Sequence, residues 1–245
     1  MLLVAGLASA GAQSAGNYAS NFYLKGSVGH LDNDNSKAVD SLNSIAGISA
    51  QSDESEVWSF EAGMHLGNNW SLGLEYSFFD ADASMKATAI DQTQADNLND
   101  FLSSIGLGAT NFAAGDDAYA SSDTEVNSFM LILNYEYFLN EQFAVLFKGG
   151  FGFFDVEQSY NVSRDVDSAG TTNSPESLIN SSSSDTAFAY QLGVNMNYYL
   201  TEAIALSAGL RYLDSEDLDF RYGGYEVTED DTDSVTYDVG ITYSF

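Results

Sequence analysis

The sequence contains no cysteine, one proline, two histidines and only seven lysine and arginine residues, against 36 aspartate and glutamate residues. Without cysteine there can be no disulfide framework. The formal net charge of −29 opposes binding to nucleic acid, which is itself an anion. After the N-terminus no apolar run reaches the roughly 18 residues that a membrane-spanning helix needs. These absences exclude a disulfide scaffold, a nucleic-acid binder and a helical membrane protein.

Signatures of catalysis are also missing. The two histidines are His30 and His65, and neither stands in a recognisable Ser-His-Asp arrangement. There is no phosphate-binding loop and no cluster of His and Cys that could hold a metal ion. We therefore expect a protein that is not an enzyme and that needs no cofactor.

The most informative segment of the chain is its C-terminus. Counting back in twos from the last residue, large apolar side chains occupy every second position: Tyr237, Val239, Ile241, Tyr243 and Phe245. The residues between them are small or polar. Period-2 alternation predicts a β-strand with one apolar and one polar face.

The same alternation recurs along the chain and predicts eight strands. They cover residues 21–31, 56–67, 70–80, 125–138, 143–156, 186–200, 204–214 and 233–245. The apolar faces of the strands at 56–67, 70–80, 143–156 and 186–200 carry no charge, and aromatic residues gather towards the strand ends. This is the pattern of strands that cross a lipid bilayer, where a charge would be costly.

The connections between these strands alternate between short and long. Tight turns are expected at 67–69, 139–142 and 201–203, and long loops at 32–55, 81–124, 157–185 and 215–232. An antiparallel up-and-down barrel of eight strands places all short turns at one end and all long loops at the other. A soluble barrel of lipocalin type, or a soluble sandwich, would show the same alternation with the apolar face inside.

Three pieces of sequence carry a resemblance to a known family. They are the segments 22–29 and 148–152 and the C-terminal strand that ends in Phe245. Together they resemble the small eight-stranded outer-membrane β-barrels of the OmpA/OmpX/Opa type over residues 21–245. The resemblance implies a monomer in the outer membrane of a Gram-negative bacterium, with lipid and lipopolysaccharide around it. It also implies that the alternating residues from Tyr237 to Phe245 form the signal read by the barrel-assembly machinery.

The N-terminus has the character of a processing segment. Residues 2–8 form a short apolar core, and the small residues Ala10, Gly11 and Ala12 follow it. This order is typical of a secretory signal peptide, although the usual basic start is missing. We expect a signal peptide over residues 1–12, with cleavage after Ala12, and with Ala10 or Ala15 as alternative sites.

The polar strand faces carry charges of both signs, which a barrel would turn into its lumen. The residues concerned are Lys25, Glu61, Glu75, Lys148, Arg211 and Asp238. If residues 67–69 form a three-residue turn, Leu66 opposes Trp70 and Glu61 opposes Glu75, so the two carboxylates need cations between them. Because an eight-stranded barrel is only just wide enough for its side chains, we expect these residues to plug the lumen. His65 and Glu136 lie lower on the same face and are expected to be bystanders.

Three functions are compatible with such a lumen. A plugged barrel would have a structural or surface-interaction role, whereas an open one would be a narrow porin-like channel for ions or small solutes. An outer-membrane barrel enzyme is a third reading, and it has the least support because the catalytic signatures are missing.

The long loops hold most of the negative charge. Of the 36 acidic residues, 30 lie in the regions 32–56, 80–125, 155–185 and 214–233. Such a surface approaches other anions, including lipopolysaccharide, only through cations. We therefore expect divalent cations to link the loops to lipopolysaccharide.

Two loop segments have alternate oxygen ligands that favour calcium, and they include Asp32, Asp34, Asp230 and Asp231. Their spacing departs from that of an EF-hand. The second long loop also contains apolar residues near helical spacing, which predicts a short amphipathic helix at 87–105, ended by Gly106 or Gly108. The third loop, Ser168 to Asp185, is rich in Ser, Asn and Thr and is expected to be mobile.

Overall fold

A computed structural model describes residues 21–33, 49–52, 55–104, 112–165, 176–222, 225–229 and 233–245. The described part of the chain forms these elements in order: β1 (Phe22–Asn33), β2 (Ser49–Ser52), β3 (Ser55–Gly67), β4 (Trp70–Ala87), α1 (Gln92–Ser104), β5 (Asp117–Phe138), β6 (Phe143–Asp165), β7 (Glu176–Tyr199), β8 (Ile204–Ser215), β9 (Leu218–Tyr222), β10 (Tyr225–Glu229) and β11 (Asp233–Ser244).

Eight of these strands close into a ring in which all neighbours are antiparallel. The order around the ring is β1, β3, β4, β5, β6, β7, β8 and β11, and β11 pairs with β1 to complete it. The predicted all-β, up-and-down, eight-stranded barrel is therefore confirmed. The short turns β3–β4, β5–β6 and β7–β8 lie at the same end of the ring as Phe22 and Phe245, where the backbone N–H of Phe245 donates to the carbonyl oxygen of Phe22 over 3.0 Å.

The apolar faces of the strands point outward. Phe60, Leu74, Phe129, Leu192 and Val239 each expose more than half of their surface. The charged residues of the strand faces, including Glu61, Lys148 and Arg211, are buried inside the barrel. This arrangement is the reverse of a soluble barrel, whose outer face is polar. Among the described residues, the helix is neither long nor apolar enough to cross a membrane.

Four of the strands are longer than the sequence predicted. β4 and β5 remain paired as far as Ala87 and Ala118, and β6 and β7 as far as Arg164 and Glu176. The interpretation of 81–124 and 157–185 as loops was thus wrong for much of their length. Outside the bilayer both strand faces can be polar, so these segments lack the apolar alternation that marks a membrane strand.

The third long loop is affected in the same way. Residues 176–185 belong to β7, so the expectation of a mobile segment is wrong there, while 168–175 lie outside the described residues. In the fourth long loop, β9 and β10 pair with each other as a separate two-stranded sheet.

The turn between β3 and β4 differs in detail from its prediction. Asn68 and Asn69 form a two-residue turn, and both have positive φ angles of 52° and 67°, as a type I′ turn requires. Gly67 pairs with Trp70, and the register shifts between His65 and Gly67. The expected pairing of Leu66 with Trp70 is therefore wrong, because Leu66 forms a bulge, and that bulge is what still brings Glu61 opposite Glu75.

The helix predicted at 87–105 is present as α1. Leu98 and Ala95 of α1 are buried together with Met85 of β4, Ala118 of β5 and Val162 of β6. These partners lie on the inward faces of the strand extensions, so α1 packs inside the tall wall that β4, β5 and β6 form beyond the bilayer. Gly106 and Gly108, proposed as its end, lie outside the described residues.

Candidate functional site

The lower half of the lumen, nearest the short turns, holds a compact cluster of charges. Lys148 of β6 reaches across the barrel, where its Nζ lies 2.9 Å from Oε2 of Glu61 and also contacts Oε2 of Glu75. All three side chains are buried. One ammonium group thus lies between the two carboxylates that the β3–β4 register places opposite each other.

Each carboxylate has further donors. Oε1 of Glu75 accepts from Arg211 Nη1 over 3.1 Å and from Gln191 Nε2 over 2.8 Å. Oε1 of Glu61 accepts from Asn134 Nδ2 over 2.8 Å and from the hydroxyl of Tyr23. The cluster of Glu61, Glu75, Lys148 and Arg211, called here the charge layer, is formally neutral. Its hydrogen bonds offset much of the cost of burying four charges.

Two glycines make room for this arrangement. A Cβ atom on Gly63 would lie 2.4 Å from the hydroxyl oxygen of Tyr23, and one on Gly73 would lie 2.7 Å from Oε1 of Glu61. Both distances are shorter than real side-chain contacts. The inward-facing glycines therefore provide the space that Tyr23 and Glu61 fill.

The other two charges expected in the network are buried at its side. Asp238 accepts a hydrogen bond from Asn195 Nδ2 over 3.0 Å. Lys25 pairs in register with Glu61 across β1 and β3, but within the described part of the chain it has no ion-pair partner at bonding distance. The structure thus brings four of the six predicted residues together and leaves Lys25 and Asp238 outside the ion pairs.

A small cavity of about 40 Å³ lies below the charge layer, at the turn end of the barrel. Lys25, His65 and Glu136 are among its lining residues. The carboxylate of Glu136 accepts hydrogen bonds from Asn197 Nδ2 over 2.7 Å and from the hydroxyl of Tyr199. His65 lies 3.4 Å from the hydroxyl of Ser244 on β11. Both residues interpreted as bystanders therefore lie close to the charge layer.

The upper half of the lumen has a different composition. Towards the loop end, many inward side chains of the ring strands are apolar and buried, and Ser59 and Ser77 lie below them. The apolar ones form one cluster: Leu31, Val57, Phe79, Val126, Met130, Ile132, Phe154, Val156, Ala187, Ala189 and Leu213. On β3, Val57 is four residues above Glu61, and on β4, Phe79 is four residues above Glu75. We call this cluster the apolar layer.

The centre of the apolar layer is filled by a segment that is not part of the ring. Leu218 and Phe220 of β9 belong to the same cluster, with exposed fractions of 5% and 0%. They are two residues apart on one strand, so both side chains point the same way. β9 therefore folds back and packs against the inward faces of the ring strands at the mouth of the barrel.

The sequence pattern does not predict the apolar layer. The alternation of Leu218, Phe220 and Tyr222 was the available signal, but it covers only five residues within an acidic loop. The polar residues Tyr23, Asn134 and Gln191 were also missed, although each lies on the inward face of a predicted strand.

The residues of the expected assembly signal face the lipid side of β11. Tyr237, Val239, Ile241, Tyr243 and Phe245 are all exposed, and β11 pairs with β1 over its whole membrane-spanning length.

Most of the weak calcium candidates lie where the structure does not describe the chain. Asp34, Asp230 and Asp231 lie outside the described residues, and Asp32 is part of β1. In the part of the chain that the structure describes, no group of three or more His, Cys, Asp or Glu is placed to hold a metal ion. His30, considered for catalysis, is near the top of β1 on its outward face.

A family model described as the outer membrane protein beta-barrel domain matches residues 1–245 of the chain. No curated protein matches the sequence.

Solved structures with a similar fold include three small proteins. Neisserial surface protein A is 12% identical with a TM-score of 0.43, and the match covers 92% of this chain and 98% of that one. OprG from Pseudomonas aeruginosa is 14% identical with a TM-score of 0.44, covering 94% and 98%. Ail of Yersinia pestis, in complex with the heparin analogue sucrose octasulfate, is 12% identical with a TM-score of 0.39, covering 92% and 99%.

Proposed function

The chain belongs to the outer membrane protein β-barrel domain family, and from this premise we propose that it is a closed barrel that acts at the cell surface rather than as a channel. The observation that supports this function is the filling of the lumen by two stacked layers. The charge layer occupies the lower half, and the apolar layer with Phe220 occupies the upper half. An eight-stranded barrel has little interior space beyond what its own side chains fill.

Single-channel recording in planar bilayers tests this function. The purified wild-type barrel should insert without steady unitary conductance. A stable conductance of the wild type would contradict a closed barrel and favour the second candidate.

That second candidate is a narrow channel for ions or small solutes. It is favoured by buried polar atoms of the lower lumen, since Nε of Arg211 and the hydroxyls of Ser207 and Thr236 have no hydrogen-bond partner among the described residues. Such groups bind water or ions when these enter a lumen. An enzymatic role is the third candidate and has no supporting observation.

We propose that the protein is a monomer of a Gram-negative outer membrane. The ring leaves no free strand edge within the bilayer, and so no second copy is needed to complete the ladder. Sedimentation of the detergent-solubilised barrel should give the mass of one chain, and a dimer mass would contradict this.

The orientation of the barrel gives a first prediction. We expect the short turns and both ends of the mature chain to face the periplasm and the long connections to face outward, as in outer-membrane barrels generally. An epitope tag inserted within residues 168–175 should be labelled on intact cells. A tag in the Asn68–Asn69 turn should be labelled only after the outer membrane is permeabilised. The reverse pattern would show that the barrel is inverted.

Assembly gives a second prediction. The C-terminal strand that ends in Phe245 is proposed to be read by the barrel-assembly machinery. Deleting Phe245 should lower the amount of folded barrel in the outer membrane several-fold, measured by heat-modifiable migration on gels. The matched control is Ser244→Thr, since Ser244 faces the lumen and is buried. Equal yields of folded barrel from both variants and from the wild type would count against this role.

A third prediction concerns lipopolysaccharide, which we propose as a neighbour linked through divalent cations. Asp80, Glu125 and Glu157 lie directly opposite one another on β4, β5 and β6 and are exposed on the outward face, two residues above Phe78. Like charges placed opposite each other destabilise a sheet by a few tenths to about 1 kcal/mol per pair. Magnesium ions should therefore raise the melting temperature.

The variant Glu125→Gln should raise stability in EDTA by about 1 kcal/mol, because it removes two such pairs, and it should weaken the magnesium effect. Asp155→Asn is the matched control. Asp155 is on the same face, but its partners are Asn127 and Thr186. If both variants respond to magnesium equally, the magnesium effect does not arise from screening of the repulsion within this acidic row.

A further inference from the structure

The way in which β9 fills the barrel mouth has the features of a peptide complex. β9 is an extended segment whose alternate side chains, Leu218 and Phe220, enter the apolar layer. Between and after them, the backbone N–H of Asp219 donates to Oδ2 of Asp185 over 2.7 Å, and that of Arg221 donates to the hydroxyl of Ser183 over 2.8 Å. Main-chain hydrogen bonds with pockets for alternate side chains are the means by which proteins recognise extended peptides.

β9 is attached to the barrel differently from the ring strands. Its ladder is formed with β10, as a sheet separate from the ring, and side chains of β7 accept the two backbone hydrogen bonds just described. The preceding linker is fixed at Glu216, whose N–H donates to the carbonyl oxygen of Phe188 over 2.9 Å. A change in backbone angles after Glu216 can therefore move β9 out of the mouth. The backbone hydrogen bonds between the ring strands stay intact during this movement.

We propose that the mouth of the barrel is a binding site for an extended peptide with an apolar-x-aromatic pattern, and that β9 occupies this site as an internal ligand. The site is the cup formed by the apolar layer without Leu218 and Phe220, together with the acceptors Asp185 and Ser183. Its floor is the charge layer, so displacement of β9 opens the cup towards the loop side and does not open a path through the membrane. The proposal rests on the proposed function at the cell surface and names the class of partner.

The internal ligand determines how strongly an external peptide binds. A segment tethered by a short linker competes at an effective concentration in the millimolar range. An external peptide therefore binds the wild type weakly and binds a barrel with an empty cup more tightly. The pair Leu218→Ala and Phe220→Ala empties the cup and leaves its wall intact.

The experiment uses a fluorescein-labelled peptide that copies residues 216–222 and measures its anisotropy with the full-length barrel in detergent micelles. The double variant Leu218→Ala/Phe220→Ala should bind the peptide at least tenfold more tightly than the wild type. A peptide with alanine at the two apolar positions should not bind. Phe153→Ala is the control variant, because it removes an aromatic ring from the lipid face, and it should behave like the wild type.

Removing the side-chain acceptors of β7, which receive the backbone N–H groups of β9, tests the site independently. Asp185→Ala with Ser183→Ala, added to the emptied cup, should weaken peptide binding about tenfold. The proposal would be overturned if the labelled peptide and its alanine version bound equally. It would also be overturned if the double variant Leu218→Ala/Phe220→Ala folded, as shown by heat-modifiable migration, but did not bind the labelled peptide. An increase of barrel mass to that of two copies would also overturn it, because it would identify the occupant as β9 of a second chain.

A second measurement asks whether β9 leaves the mouth in the otherwise unaltered chain. The protein has no cysteine, so Ala187→Cys places a single thiol in the apolar layer. A methanethiosulfonate reagent should modify it at least tenfold faster than Ala144→Cys, which is buried nearer the turn end. Equal rates would show that the mouth stays shut and would overturn the proposal. Steady wild-type conductance, by contrast, would contradict the closed barrel while leaving peptide binding intact.

Discussion

Replacing Lys148 by methionine should lower the stability of the barrel by about 3–5 kcal/mol, the usual cost of removing one partner from a buried ion pair. Lys148 contacts both Glu61 and Glu75, so its loss leaves Glu61 without an ion-pair partner and leaves Glu75 with Arg211 alone. Methionine keeps the length and much of the volume of the side chain, and the loss therefore reports on charge rather than on packing. Thermal unfolding in detergent, followed by heat-modifiable migration, measures it.

The structure also predicts which second substitution restores stability. Glu61→Gln, added to Lys148→Met, leaves the pair of Glu75 and Arg211 intact and makes the layer neutral again. Its Oε1 still accepts from Tyr23 and Asn134, so we expect recovery of about half of the loss. Glu75→Gln also restores the charge balance, but it leaves Arg211 without its carboxylate.

The melting temperatures of these two double variants distinguish an effect of specific contacts from an effect of net charge. If the contacts of the charge layer determine stability, Lys148→Met/Glu61→Gln should melt well above Lys148→Met/Glu75→Gln. By the same logic, Arg211→Ala should be rescued by Glu75→Gln, because the pair of Glu61 and Lys148 then remains. Equal melting temperatures of the two double variants would show that only the net charge of the lumen matters. A Lys148→Met variant as stable as the wild type would contradict the charge layer altogether.

The part of the fold that the sequence predicts well is the part in contact with lipid. The bilayer requires an uncharged outer face, and that requirement imposes alternation on each membrane strand, as in the C-terminal strand from Tyr237 to Phe245. The same alternation places Glu61, Glu75, Lys148 and Arg211 inside. Their mutual contacts depend on register, and a bulge at Leu66 corrected the register in a way that counting residues could not reveal.

Where lipid is absent, the sequence is less informative. The extensions of β5 and β6 beyond the bilayer are stabilised by pairing with each other in water, which requires no apolar face. The position of Phe220 depends on a loop that folds back over long range, and two apolar residues in an acidic segment do not specify what they pack against. Propensity and periodicity describe neighbours along the chain, whereas the packing of Phe220 against the ring strands depends on residues far apart in it.

The two layers of the lumen should block ions in series, and this gives the last prediction. Resistances in series add, so opening one layer leaves the resistance of the other. The apolar layer can be opened with Leu218→Ala/Phe220→Ala. The charge layer can be opened with Glu75→Ser/Arg211→Ser, which removes the ion pairs of Glu75 with Arg211 and with Lys148 and leaves that of Glu61 and Lys148. In planar bilayers each double variant, like the wild type, should show no steady unitary conductance.

The combination of all four substitutions should give a steady unitary conductance. It should favour cations, because 30 of the 36 acidic residues lie in the four loop-side regions and attract cations to the mouth. Each variant must first show heat-modifiable folding, so that an absence of conductance reports a closed lumen rather than a missing barrel.

Steady conductance of the Leu218→Ala/Phe220→Ala barrel alone would show that the charge layer does not seal, and that β9 is then the sole gate. Conductance of the Glu75→Ser/Arg211→Ser barrel alone would assign the seal to the ion pairs and leave β9 with peptide binding only. If the two layers seal the lumen independently, neither pair of substitutions alone should give conductance, whereas the four substitutions together should. The effects of the two pairs on conductance are then non-additive, as expected of two barriers in series.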